Sequence, residues 1–201
     1  MSTNSQASPN NIIYIDWQPG TVVEPPVYLD ANVLVGAVIS GHRLYRSCIT
    51  LLGELLLNRS RILVSALSIQ ECLWAIVRLS YYDLNNRQPP NAHFTQVIYK
   101  RWCDRIFAAY GSRINAVNSM LNDWVSAGVQ IEVVPGMDTF WSVSRMTPAY
   151  MRQLRLAPAD AFHLALAQAH ARTFITGDAD FQSVTKQSYP GELIILHIVP
   201  S

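Results

Sequence analysis

Four short, mostly apolar runs and one alternating, β-branched run, none longer than seven residues, are separated mostly by longer stretches whose apolar residues recur at helical spacing, and that alternation leaves few folds open. The runs are Val27-Tyr28-Leu29, Arg61-Ile62-Leu63-Val64, Val129 to Val134, Thr173-Phe174-Ile175-Thr176 and Leu193 to Val199. A strand that is apolar throughout must be covered on both faces, and helices between consecutive strands supply that cover. The expectation is therefore an α/β protein, a three-layer α/β/α sandwich with a mostly parallel central sheet.

Between the runs, helices are expected at about Val33–Ile39, His42–Asn58, Ser65 to Asn85, His93–Tyr110, Arg113–Ala127, Met137–Met146, Pro148–Leu154 and Pro158–His170. Gly128 stops one of them and Pro158 suits the first position of another. Residues 1–26 read as an N-terminal extension, polar at first, with Asn11 to Trp17 as a candidate edge strand. The packed domain is expected over residues 27–201, with a helical insertion over 83–127.

Composition removes several classes. No apolar run approaches the roughly 18 residues of a spanning helix, and Met1 to Asn10 lacks the basic and apolar regions of a secretory signal, so a cytoplasmic address is expected. The cysteines Cys48, Cys72 and Cys103 are far apart without a Cys-x-x-Cys pair, which speaks for buried reduced thiols rather than disulfides or zinc. A net charge of +1 lacks the broad positive potential of a protein that coats nucleic acid, so any phosphate contact must be local. Candidates for it are Arg43, Arg46, Arg145, Arg152 and Arg155. There is no P-loop, no Gly-x-Ser-x-Gly and no Gly-x-Gly-x-x-Gly.

The acids stand at telling places. Asp30 ends the first run, Glu71 lies in the helix after the second, Asp160 begins the helix at Pro158, and Asp178 and Asp180 follow the Thr173–Thr176 run. In a parallel sheet the carboxyl ends of the strands share one edge, where ligands bind, so Asp30 and Asp178 should face one crevice with Glu71 and Asp160 nearby. Each has a plainer reading. Asp30 could cap the next helix, Glu71 could close a capping box with Ser68 unless Ser65 is the cap, Asp160 could favour a helix N-terminus, and Gly177-Asp178-Ala179-Asp180 could be a turn. Together, however, four converging acids without adjacent Lys or Arg gather like charge, which calls for a cation between them. Carboxylate oxygens suit Mg²⁺ or Mn²⁺, and substrate phosphate completes their coordination. His163, one turn beyond Asp160, reads as a packing or surface residue, and Trp102, Trp124 and Trp141 as core or interface.

Four segments carry a family resemblance: Tyr28-Leu29-Asp30-Ala31-Asn32-Val33-Leu34, Val64-Ser65-Ala66-Leu67-Ser68-Ile69-Gln70-Glu71, Pro158-Ala159-Asp160-Ala161-Phe162-His163-Leu164-Ala165, and Phe174-Ile175-Thr176-Gly177-Asp178-Ala179-Asp180-Phe181. In this order they resemble the PIN-domain ribonucleases, especially the VapC-type toxins of toxin–antitoxin pairs. The resemblance implies metal-dependent endonucleolytic cleavage of RNA with Mg²⁺ or Mn²⁺. Asp30, Glu71, Asp160 and Asp178 would be catalytic and metal-binding, Asp180 a further carboxylate, and Asn32 and Thr176 polar neighbours. An antitoxin partner and a homodimer are implied with it. The long leader and residues 83–127 exceed the compact toxins, which leaves a ribonuclease of another role as an alternative. A haloacid-dehalogenase-like phosphotransferase is a second alternative, although Asp30-Ala31-Asn32 lacks its second Asp; a non-catalytic PIN-like module is a third.

Overall fold

The computed structural model describes residues 12–86, 94–134, 140–186 and 192–201. Its strands are β1 (Ile12–Asp16), β2 (Val27–Leu29), β3 (Ile62–Ser65), β4 (Ile131–Val134), β5 (Thr173–Thr176) and β6 (Leu193–His197). The helices are α1 (Ala31–Val38), α2 (Tyr45–Leu57), α3 (Ala66–Leu84), α4 (Gln96–Ser126), α5 (Phe140–Leu154) and α6 (Pro158–His170), with a 3-10 helix over Ala179–Lys186. All six strands form one sheet in the order β1-β6-β5-β2-β3-β4, and every pairing is parallel.

Alternation along the strands divides the core in two. Val27 and Leu29 of β2 join Val64 and Ile175 on the face covered by α1, α2, α3 and α4, whereas Tyr28, Leu63 and Phe174 point to the face covered by α5 and α6. This is the three-layer sandwich expected from the buried runs, since the residues of β2, β3 and β5 are all buried.

Some elements differ from their sequence outline. The two helices expected either side of Tyr110 form one element, α4, bent where Tyr110 leaves the helical region at φ −131° and ψ 18°. The two expected either side of Pro148 likewise form one helix, α5, with the proline inside it. His93 and the Met137 end of the next expected helix lie outside the described residues. Within the leader, Ile12–Asp16 is indeed an edge strand, paired in parallel with β6, and Trp17 behind it is buried. The helix read as part of an insertion contributes to the packing: Ile106, Ile114, Val117 and Trp124 of α4 are buried in the same cluster as Leu51 and Ile76.

Cys48 and Cys72 are buried free thiols, pushed up to about 12 by desolvation, and Cys103 is a free, half-buried thiol. Among the described residues, no helix is long and apolar enough to cross a membrane.

Candidate metal centre

Asp30 follows the last residue of β2 and is the N-cap of α1, so its carboxylate stands at the carboxyl edge of the sheet. The capping and site readings coexist in one side chain. Oδ1 accepts from the Ala31 N–H at 2.6 Å, while Oδ2 accepts from Thr176 Oγ1 at 2.7 Å and Asn32 Nδ2 at 2.8 Å. These bonds preorganise a carboxylate that is almost wholly buried. Burial raises its pKa, against the lowering pull of His163, the Thr176 hydroxyl and the Ala31 N–H.

Asn32 and Thr176 link α1 to the end of β5. Asn32 Oδ1 accepts from the Gly177 N–H at 2.7 Å, and Thr176 Oγ1 accepts from the Asp178 N–H at 3.0 Å. Gly177 must lack a side chain for this close approach: a Cβ there would lie 2.4 Å from Leu44 Cδ1 and 3.2 Å from Asn32 Oδ1.

Ser65 caps α3, its hydroxyl accepting from the Ser68 N–H at 2.9 Å. That settles the capping question left by the sequence, for Ser68 is buried inside the helix and its hydroxyl donates to Leu29 O. Glu71 falls in the second turn, free of any capping duty, and its Oε2 lies 2.8 Å from His163 Nε2.

His163 is the residue that sequence reasoning missed. It is 1% exposed and sits on the same side of α6 as Asp160. Its Nδ1 is 2.7 Å from the Tyr28 hydroxyl, and its Nε2 is also 3.8 Å from Asp30 Oδ1. Burial lowers its pKa, but Glu71, Asp30 and Asp160 raise it more, and the outcome is a raised value. The available signal was the alternation of β2, which points Tyr28 to the α6 face, combined with the one-turn spacing from Asp160 to His163.

Asp160 lies in the first turn of α6 after Pro158, behind an Ala157 cap that has no side-chain bond to give. It is pushed up to about 6 by burial, then by Asp178 and Asp30. No hydrogen bond or ion pair holds its carboxylate among the described residues. Asp178 performs the turn chemistry its sequence suggested, Oδ1 accepting from the Asp180 N–H at 2.9 Å, and also faces the cleft.

Asp30, Glu71, Asp160 and Asp178 line one cleft of about 580 Å³. Their donors form two groups, Asp30 with Glu71 and His163, and Asp160 with Asp178 and Asp180; within each, the ligand atoms lie within 4.8 Å of one another. Asp180 belongs to the second group but is exposed and lines a separate hollow beside Arg155. None of the four cleft acids pairs with Lys or Arg among the described residues; the imidazole of His163 is the basic group beside Asp30 and Glu71. Such a donor set fits a hard divalent cation, whose charge would offset a repulsion the folded chain leaves largely uncompensated.

The family model described as PIN domain matches residues 27–187. No curated protein matches the sequence. Among solved structures, the chain is similar to the crystal structure of VapBC2 from Rickettsia felis bound to a DNA fragment from their promoter. The identity is 14%, 84% of this chain and 96% of that one are covered, and the TM-score is 0.43.

Proposed function

The chain belongs to the PIN domain family, and from that premise we propose that it is a divalent-metal-dependent endoribonuclease of the kind that serves as the toxin of a type II toxin–antitoxin pair. The observation that carries the reading is the convergence of Asp30, Glu71, Asp160 and Asp178 on one cleft with no Lys or Arg paired to them among the described residues. Those four side chains would hold Mg²⁺ or Mn²⁺. When bound, such an ion makes a water acidic enough to attack phosphorus and offsets charge on the leaving oxygen.

The chain's own residues prepare the cleft for that chemistry. Thr176, Asn32 and the Ala31 N–H hold Asp30 in one orientation, so no reorganisation is needed when substrate arrives. His163 fixes Glu71 in the same way. Burial and neighbouring carboxylates raise the pKa of half-buried Asp160, so its charged form gains from a neighbouring cation.

The toxin role, with its antitoxin partner and homodimer, rests on the resemblance of the four sequence segments and is tested separately, by partner co-purification and mass in solution. Purified protein should cut single-stranded RNA with Mg²⁺ or Mn²⁺ and stop in EDTA. Cleavage undiminished by EDTA would refute the metal mechanism.

A further inference from the structure

Besides the acids, the cleft is lined by Ala31, Asn32 and Val35 of α1, by His42, and by a long stretch of α3. Glu71, Ala75 and Arg78 follow the i, i+4, i+7 stripe of a helix, and all three line the cleft. Arg78 is thus about 10 Å from Glu71 along the axis, at about 1.5 Å per residue. Trp74 borders the same stripe and lines two spaces at once, the acidic cleft and an apolar groove shared with Tyr99 and Phe107 on α4.

Two features of this wall are hard to explain as packing. Trp74 remains 37% exposed although its ring is buttressed by Phe94 at 5.2 Å and by Tyr99, edge-on, at 5.5 Å. An indole held by two rings while open to a cleft is a prepared stacking surface. Arg78 is exposed and, like most of the described arginines, has no carboxylate partner among the described residues, so its guanidinium is not committed to an ion pair; what sets it apart is its place in the cleft. The arginines suggested by sequence (Arg43, Arg46, Arg145, Arg152 and Arg155) do not line the cleft; Arg78 does. Among the described residues that line the cleft it is the one arginine, a fixed positive charge in a wall shared with four carboxylates and a local contact for phosphate.

We infer that Trp74 and Arg78 form a substrate subsite on α3 that takes an unpaired nucleotide of single-stranded RNA, its base stacked on the Trp74 indole and its phosphate held by the Arg78 guanidinium. The inference rests on the ribonuclease reading for its substrate class. Stacking requires a base free of its duplex partner, so the subsite selects single strands and loops over paired RNA.

The test uses a labelled single-stranded RNA oligonucleotide and a series of the same oligonucleotide with one abasic nucleotide at successive positions. With Mn²⁺, Trp74→Ala should raise KM about tenfold or more with a much smaller fall in kcat, and Trp74→Phe should recover most of the loss. One abasic position should raise the wild-type KM and leave that of Trp74→Ala unchanged. In EDTA, Arg78→Gln should weaken binding and reduce the salt slope of log affinity by about 0.7, the value for one phosphate contact on a single strand. A wild type that binds the oligonucleotide in EDTA through Trp74 and Arg78 yet cleaves nothing when Mg²⁺ or Mn²⁺ is supplied would overturn the ribonuclease reading and leave the subsite standing. A wild type that cleaves, with both variants equal to it in KM, affinity and abasic profile, would overturn the subsite and give this wall to a protein partner instead.

Discussion

Replacing Asp160 by Asn separates a metal-ligand role from a helix-terminus role, because the two predict opposite signs in the metal-free protein. The carboxyl is raised from 3.8 to about 6, first by burial and then by Asp178 and Asp30. The folded protein therefore keeps a proton that the unfolded chain releases. Stability from this group is fully present below about pH 4 and is lost as pH rises through about 6. At about 1.4 kcal/mol per pH unit the full cost of the charged form would be about 3 kcal/mol. Asp160 is only half buried, so solvent screening reduces this to about 1 kcal/mol. Asn removes that cost and forfeits about 0.3 to 1 kcal/mol of favourable interaction with the N-terminus of α6. The variant should thus equal or exceed wild type in urea unfolding at pH 8 in EDTA, and its advantage should vanish towards pH 4. If Asp160 only favours the helix terminus, the variant is the less stable one at pH 8. Wild type should also gain about 2.7 kcal/mol from Mn²⁺ at a hundredfold excess over its dissociation constant, and Asp160→Asn much less. A variant less stable at pH 8 that keeps the full Mn²⁺ response would refute the assignment.

Thr176→Val keeps the shape but removes the donor to Asp30 and the acceptor of the Asp178 N–H in a fully buried position, and should cost about 1 to 3 kcal/mol. A change below 0.5 kcal/mol, roughly the size of an ordinary surface substitution, would show that these bonds do not matter to Asp30. Gly177→Ala puts a methyl 2.4 Å from Leu44 Cδ1 and should cost about 1 to 3 kcal/mol in thermal melts, with slower RNA cleavage as Asn32 is displaced; unchanged melting and rate would argue against the close approach. Ile106→Ala, within residues first read as an insertion, should lose about 2 to 5 kcal/mol because its side chain is fully buried against the sheet-facing layer. A near-neutral result there would make α4 peripheral.

Most of the sheet was legible because β2, β3 and β5 are buried on both faces, and a strand in that position has to be a continuous apolar run. Asp30 and Asp178 could be placed at one edge of the sheet for a related reason: they follow β2 and β5 closely, where a parallel sheet opens to ligands, whereas Glu71 and Asp160 reach that edge from within helices. β1 was harder to read because it is an edge strand with Ile13 and Ile15 half exposed, so its apolar residues are not set apart by burial. His163 was harder to read: its one-turn spacing from Asp160 hinted at the site, but the groups it touches, Glu71 and Tyr28, lie 92 and 135 residues away. Trp74 and Arg78 look like ordinary surface residues of a helix until α1 and α3 come together to form the cleft. The bend at Tyr110 was anticipated as a break, but whether a helix resumes in line beyond a break depends on what it packs against, here α3 and α1.

The strand order also governs when the cleft can exist. Asp30 is made early, yet its backbone N–H bonds Ile175 O and its carboxylate is held by Thr176, nearly 150 residues later. β6, the last strand made, lies between β5 and β1, so β1 has no partner until residues 193–197 have emerged. During synthesis Asp30 and Glu71 can meet once β3 and α3 have formed, but Asp178 cannot join them until β5 has been made. The same order leaves the isoleucines of β1 without their strand partner until β6 follows, a long exposure to misassociation.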